Sequence, residues 1–118
     1  MSVEVNKCNW AKLLKFSGDQ NRGRLTRLGV CSSGGSAIDE WIESGLPLAG
    51  IDADTRGDGE RAEVEIMLGA EARENARHYT HSIQNVNHVR LHFSPNGNGD
   101  QVKIEDAEGK TTILRFEN

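Results

Sequence analysis

A run of carboxylates in the middle of the chain has the spacing of a calcium-binding loop. Five residues fall at positions 1, 3, 6, 9 and 12 of such a loop: Asp52, Asp54, Gly57, Glu60 and Glu63. Calcium takes oxygen ligands at this spacing, and the glycine allows the sharp turn. However, Arg56 stands where a further carboxylate belongs, and a solvated hairpin turn explains the same composition. Asp52, Asp54 and Glu63 are therefore candidate metal ligands, with a hairpin turn as the alternative.

Four histidines form a second candidate cluster, at positions 78, 81, 88 and 92. Successive side chains of a strand point to opposite faces, so His78 and His81 would point apart. His88 and His92 would share a face but stand about 13 Å apart along it, too far for one tetrahedral ion. We therefore expect exposed strand histidines, with His81 partly buried near Tyr79, and no bound cofactor.

Nucleophilic and acid–base chemistry have less support from the residue pattern. The segment CSSGGS at residues 31–36 lacks the G-x-S-x-G pattern of a nucleophile elbow and the glycine and lysine spacing of a phosphate loop. It is typical of a turn. The carboxylates of Asp39, Glu40, Glu43, Glu63 and Glu65 could pair for acid–base catalysis, but acidic residues are also typical of a solvated strand face. A small hydrolytic or metal-dependent enzyme is the third candidate function.

The N-terminal segment carries the basic residues that a nucleic-acid surface needs. The candidates for phosphate contacts are Lys12, Lys15, Arg22, Arg24 and Arg27. Trp10 is expected in the core, so few aromatic side chains remain for base stacking. The net charge of −4 over the whole chain also argues against a general nucleic-acid binder. A small nucleic-acid-binding barrel that uses these residues is the second candidate function.

Charge is distributed unevenly along the chain. Residues 1–30 carry six basic and two acidic side chains, whereas residues 31–76 carry three basic and eleven acidic side chains. The basic segment of one copy could meet the acidic segment of another, which favours self-association or an oppositely charged protein partner. Exposed strand edges would add backbone hydrogen bonds to such a contact. The first candidate function is therefore a non-catalytic interaction module that forms homo-oligomers or binds a protein partner.

One helix and a series of strands must position these residues. Asn6 is a suitable N-cap, Val5 and Trp10 match a hydrophobic staple, and the apolar spacing predicts a helix over about residues 7–17 that ends at Gly18. From about residue 24 to 116 the apolar period changes to two, which predicts five to seven strands. Residues 36–44 fit either a helix or a strand. The expected fold is α+β, with an N-terminal helix packed on a strongly curved, mostly antiparallel sheet or small β-barrel.

Size and composition limit the remaining choices. A chain of 118 residues with 36% hydrophobic residues fits one small domain over residues 1–118. No stretch has the roughly 20 apolar residues of a membrane-spanning helix, so we expect no membrane partner. The N-terminus lacks a secretory signal pattern, and Cys8 and Cys31 lack the spacing of a zinc or disulfide motif. We therefore expect a cytoplasmic protein with reduced thiols.

Several motifs resemble those of one small prokaryotic family. They are LPLAGIDAD at 46–54, VEIMLG at 64–69, THSIQNVNHVRL at 80–91 and VKIEDAEGKTTILRF at 102–116, preceded by RGRLTRLGV at 22–30. This pattern resembles the family called domain of unknown function 5335. Asn87 stands where that family has a proline, and the segment at 36–45 is longer than the family's strand. The resemblance favours a strand over 36–44 and implies no activity, because the family is uncharacterised.

Overall fold

The structure, a computed structural model, describes residues 2–31, 40–54, 62–69, 78–93 and 100–117. A short 3-10 turn at Lys7–Asn9 leads into one α-helix, α1, at Trp10–Gln20. The strands are β1 (Ser2–Val5), β2 (Leu25–Cys31), β3 (Glu40–Asp54), β4 (Glu63–Gly69), β5 (His78–Ile83), β6 (Val86–His92), β7 (Gln101–Asp106) and β8 (Thr111–Glu117). The predicted α+β class is confirmed, since one helix packs on one antiparallel sheet.

The eight strands form a single sheet in the order β1-β6-β7-β8-β2-β3-β4-β5. In a flat sheet, β5 and β6 would lie six strand spacings apart, or roughly 29 Å. Yet only Gln84 and Asn85 separate them along the chain, and two residues cannot span that distance. The sheet must therefore curve strongly, and the Val86 amide reaches across to the Ala62 carbonyl at 3.0 Å. The sheet does not close into a barrel.

The hydrophobic core lies on the inner face of this curved sheet, which α1 covers. Alternate residues of each strand point into it, including Val64, Ile66 and Leu68 from β4. From α1, the buried residues are Trp10, Leu14 and Gly18, spaced four apart as one face of a helix requires. The helix packs mainly on β3. Because α1 covers the inner side of β3, the outer side of β3 faces solvent.

The helix boundaries differ from the prediction over residues 7–17. The first turn, Lys7–Asn9, is 3-10 rather than α, and the residue that caps α1 is Asn9, whose side chain makes no capping hydrogen bond. Gly18 does not end the helix, so that prediction is wrong. It stays helical because it packs on β3, where an added Cβ would lie 3.0 Å from the Ile51 nitrogen. The predictions of Asn6 as N-cap and of a hydrophobic staple between Val5 and Trp10 are therefore wrong; instead, the Trp10 Nε1 donates a hydrogen bond to the Val5 carbonyl at 2.9 Å.

The strands confirm most of the predicted alternation and add to it. Residues 40–44 are strand, so the helical alternative for 36–44 is wrong there, while 36–39 lie outside the described residues. β3 continues to Asp54, so Asp52 and Asp54 are strand residues and not part of the expected turn, whose remaining residues 55–59 lie outside the described residues. β1 was not expected, which raises the count from the predicted five to seven strands to eight. The β7–β8 turn has the expected left-handed glycine, with Gly109 at φ 86°.

No helix among the described residues is long and apolar enough to cross a membrane.

Candidate interaction surfaces

Carboxylates cover the outer face of β3 and β4. Asp52 and Asp54 alternate along β3 with inward-facing residues, and Glu63 and Glu65 do the same along β4. The strand register pairs Asp52 with Glu65 and Asp54 with Glu63. Together they border a shallow depression of about 340 Å³ on the sheet surface. We call these four residues the acidic face.

The acidic face includes all three candidate calcium ligands. Asp54 and Glu63 lie opposite each other, and Asp52 lies two residues further along β3. Gly57 and Glu60, which complete the loop count, lie outside the described residues. Within the described ranges, no group of three or more His, Cys, Asp or Glu side chains has the arrangement of a metal site. Calcium binding by Asp52, Asp54 and Glu63 stays a prediction.

The solvent side of α1 carries a basic and aromatic surface. Lys12 and Lys15 are exposed, and Phe16 is 59% exposed. Lys12 and Phe16 are four residues apart, so their side chains are neighbours on the helix surface. No carboxylate of the described part of the chain forms an ion pair with either lysine. We call these three residues the lysine face.

The remaining basic candidates are dispersed and paired with carboxylates. Arg22 lies 3.5 Å from Asp19, Arg24 lies 3.8 Å from Asp100, and Arg27 lies 3.5 Å from Glu117. Arg24 also stacks over the Phe116 ring, whereas Arg27 stacks over the Trp41 ring on the outer face of the sheet. The structure therefore brings Lys12 and Lys15 together on one surface but does not gather all five candidates there.

The histidines lie largely where the sequence predicts. His78 and His81 lie on opposite faces of β5, and His88 and His92 share the outer face of β6. His81 is half-buried, and its Nδ1 lies 3.5 Å from the Tyr79 hydroxyl. Burial lowers the pKa of His81, and the nearby Lys110 charge lowers it further. The imidazole of His81 therefore favours its neutral form.

The lysine face and the acidic face lie on opposite sides of β3. Gly18 of α1 packs against Ile51 on the inner face of β3, and the lysines project from the far side of the helix. Asp52 and Asp54 flank Ala53 in sequence and project from the outer face. One copy therefore cannot bring its own lysine face onto its own acidic face.

Sequence reasoning alone missed two parts of these surfaces. Phe16 falls in the predicted helix, but its exposure became evident only when the buried stripe of α1 was placed at Trp10, Leu14 and Gly18. The direct opposition of the carboxylates depends on the register of β3 and β4. The sequence does indicate that Glu63 and Glu65 share a face, because residues two apart in a strand point to the same side.

Comparison with known protein families, with curated proteins and with solved structures finds no match to this chain. The resemblance to domain of unknown function 5335 therefore stays a prediction.

Proposed function

We propose that this chain is a non-catalytic interaction module of the cytoplasm and that its acidic face binds a cationic protein surface. The observation that carries the proposal is the register that sets Asp52 against Glu65 and Asp54 against Glu63. Like charges directly opposite one another destabilise a sheet, so the Asp52–Glu65 pair weakens the isolated fold. A cationic surface laid over this pair relieves the repulsion and adds attraction.

The position of the histidines supports binding over catalysis at the acidic face. His81 pairs with Ile66 and faces the core, on the opposite side of the sheet from the carboxylates. His78 shares the outer face, but the residue opposite Glu65 is Ser82, four positions further along β5. Four strand residues span about 13 Å. Neither imidazole can exchange a proton directly with the acidic face.

The cytoplasmic part of the proposal is supported by the cysteines. Cys8 is exposed and Cys31 is buried, and they form no disulfide with each other. An exposed thiol is chemically stable in a reducing compartment, where disulfides are rare.

Nucleic-acid binding is the second candidate, and the lysine face is the observation that favours it. An exposed aromatic ring beside two cations can stack on a base while the lysines contact phosphates. Against this, Arg22, Arg24 and Arg27 already pair with carboxylates of the same chain. The phosphate contacts available to this surface are therefore fewer than the sequence indicates.

The test of the proposed function uses a ten-residue lysine peptide as the cationic probe. The variant Asp52→Asn with Glu65→Gln neutralises both carboxylates of one opposed pair. The matched control, Glu40→Gln with Glu108→Gln, changes the net charge equally at two exposed sites away from the acidic face. Peptide affinity is measured by fluorescence anisotropy at low salt.

We expect the acidic-face variant to lose more than about tenfold in peptide affinity while the control stays near the wild type. The free energy of unfolding of the same variant should be higher by about 0.2–1 kcal/mol, because the like charges of the opposed Asp52–Glu65 pair are removed. Equal losses of affinity in both variants would mean that the peptide senses only net charge, and the proposal would fail.

A further inference from the structure

The partner of the acidic face can be identified from a second surface of the same chain. Four large apolar side chains of the described residues are exposed: Val3, Phe16, Leu25 and Phe93. Phe16 is the most exposed of them, at 59%, and it is accompanied by two lysines on the same helix. Exposed aromatic residues are enriched in protein interfaces, and the two lysines give the surface around Phe16 a positive charge. The lysine face therefore has the composition of a docking surface, and no other part of the described chain covers it.

The acidic face has the charge and shape that complement this surface. Its depression of about 340 Å³ lies near the lower limit for sites that bind small groups, and it has room for one phenyl ring. The edge of an aromatic ring is electropositive, so carboxylates around the rim can contact the ring edge favourably. Lys12 and Lys15 would then lie close to the carboxylates of β3 and β4.

We propose that the partner is a second copy of this chain, whose lysine face docks on the acidic face with Phe16 in the depression. This inference rests on the proposed function, since it names the cationic surface that the acidic face binds. Because the two faces lie on opposite sides of β3, the contact joins unlike surfaces of two copies. It leaves one free lysine face and one free acidic face at the ends of each pair, as heterologous contacts do.

The contact is small and strongly electrostatic, which sets its expected behaviour. One helix face covers less area than the 1,200–2,000 Å² or so that stable complexes bury. Association should therefore require high protein concentration. It should also weaken when ionic strength rises from about 0.01 M to about 0.5 M, because the Debye length falls from about 30 Å to a few ångströms.

The test measures the mass of the full chain by sedimentation equilibrium across protein concentrations and at both ionic strengths. The wild type should show multiples of 13.0 kDa at low salt, and the monomer mass at high salt. Lys12→Glu with Lys15→Glu should weaken association by more than about tenfold. The control, Lys103→Glu with Lys110→Glu, makes the same charge change elsewhere and should associate like the wild type. Phe16→Ser should weaken association without lowering the melting temperature, since the ring is exposed.

A charge exchange between copies gives the decisive measurement. The variant Asp52→Lys with Glu65→Lys should be monomeric alone, like Lys12→Glu with Lys15→Glu. A mixture of the two reversed variants should associate again, because the intact acidic face of one variant matches the intact lysine face of the other, and the two reversed faces also match each other in charge. Circular dichroism of each variant alone confirms that it is folded.

The outcomes separate this inference from the proposed function. If the wild type is monomeric at every concentration while Asp52→Asn with Glu65→Gln still loses affinity for the lysine peptide, the second-copy inference is overturned and the proposed function stands. Association that survives reversal of both lysines overturns the inference in the same way. Absence of both association and site-dependent peptide binding overturns both.

Discussion

Individual arginines in this protein are held by carboxylates and aromatic rings of the same chain. The Arg27 guanidinium lies 4.0 Å from the centre of the Trp41 ring, and that of Arg115 lies 5.8 Å from the same ring. Stacking and ion pairing together engage much of a guanidinium's surface. The sequence shows how many cations there are but not which carboxylates pair with them. Arg27 pairs with Glu117 and Arg24 pairs with Asp100, and the partners are about 75 to 90 residues apart in the chain. The sequence therefore indicates candidate nucleic-acid-binding residues, but it does not show that these arginines are dispersed and paired with carboxylates.

Titration of His81 should make stability depend on pH near neutrality. Burial, and then Lys110, lower the pKa of His81 in the folded protein from the ordinary value of 6.5. The unfolded chain therefore binds the proton more tightly than the folded chain. The stability contributed by neutral His81 is complete above pH 6.5 and is lost as pH falls from 6.5 toward the lowered pKa.

This dependence can be measured by urea unfolding between about pH 7.5 and pH 5.5, above the titration of ordinary carboxylates. The wild type should lose stability with falling pH more steeply than His81→Gln, which cannot be protonated there. His78→Gln removes an exposed histidine from the other face of β5 and should keep the wild-type slope. A slope unchanged by His81→Gln would show that other groups cause the dependence.

At the level of elements, the contact between α1 and β3 decides where the lysine face lies. The apolar spacing of Trp10, Leu13 and Leu14 predicts the helix and its buried side correctly. It cannot predict the helix end, because glycine at position 18 is also typical of a C-terminal cap. The residue that overrides this local preference is Ile51, more than thirty positions away, which packs against Gly18. Because Gly18 has no side chain, the backbones of α1 and β3 can lie close together at this point.

Gly18→Ala should destabilise the protein even though alanine favours helix by about 1 kcal/mol over glycine. The new Cβ would lie 3.0 Å from the Ile51 backbone nitrogen, and a backbone atom moves only if the helix shifts. Crowding of this kind costs about 1–3 kcal/mol, so the free energy of unfolding should fall by up to about 2 kcal/mol. Gln20→Ala, at an exposed position of the same helix, is the control and should be neutral or stabilising. Urea unfolding measures both, and a more stable Gly18→Ala variant would contradict the close contact.

For the whole molecule, alternation and turn residues predict the strands but not their order. The period of two in β4 and β6 and the glycine at position 109 are local signals, and the structure confirms them. The order of the sheet depends on pairings such as β2 with β8, whose paired residues lie eighty or more positions apart. Neither that order nor the opposition of the acidic pairs could be read from local spacing. The curvature follows from the order together with the short β5–β6 link.

The β5–β6 link should be sensitive to backbone strain at Asn85. This residue has φ 55°, in the left-handed region that asparagine and glycine tolerate and β-branched residues avoid. Its carbonyl also accepts a hydrogen bond of 2.8 Å from the Ala107 amide, which ties the link to the β7–β8 turn. Asn85→Val should therefore lower the melting temperature, with a loss of about 1–2 kcal/mol. Asn85→Gly is the matched control and should stay within about 0.5 kcal/mol of the wild type; equal losses in both would mean that the asparagine side chain, not the backbone angle, matters.

The placement of lysines and carboxylates on opposite sides of β3 also gives any row of stacked copies a direction. One terminus of the row always displays carboxylates and the other always displays lysines, so growth at each terminus has its own chemistry and its own salt sensitivity. A copy with reversed lysines can join at one terminus only, where it then prevents further growth. The ratio of copies with reversed lysines to normal copies would set the average length of the row. Length could therefore be adjusted by composition alone, without any change in the strength of a single contact.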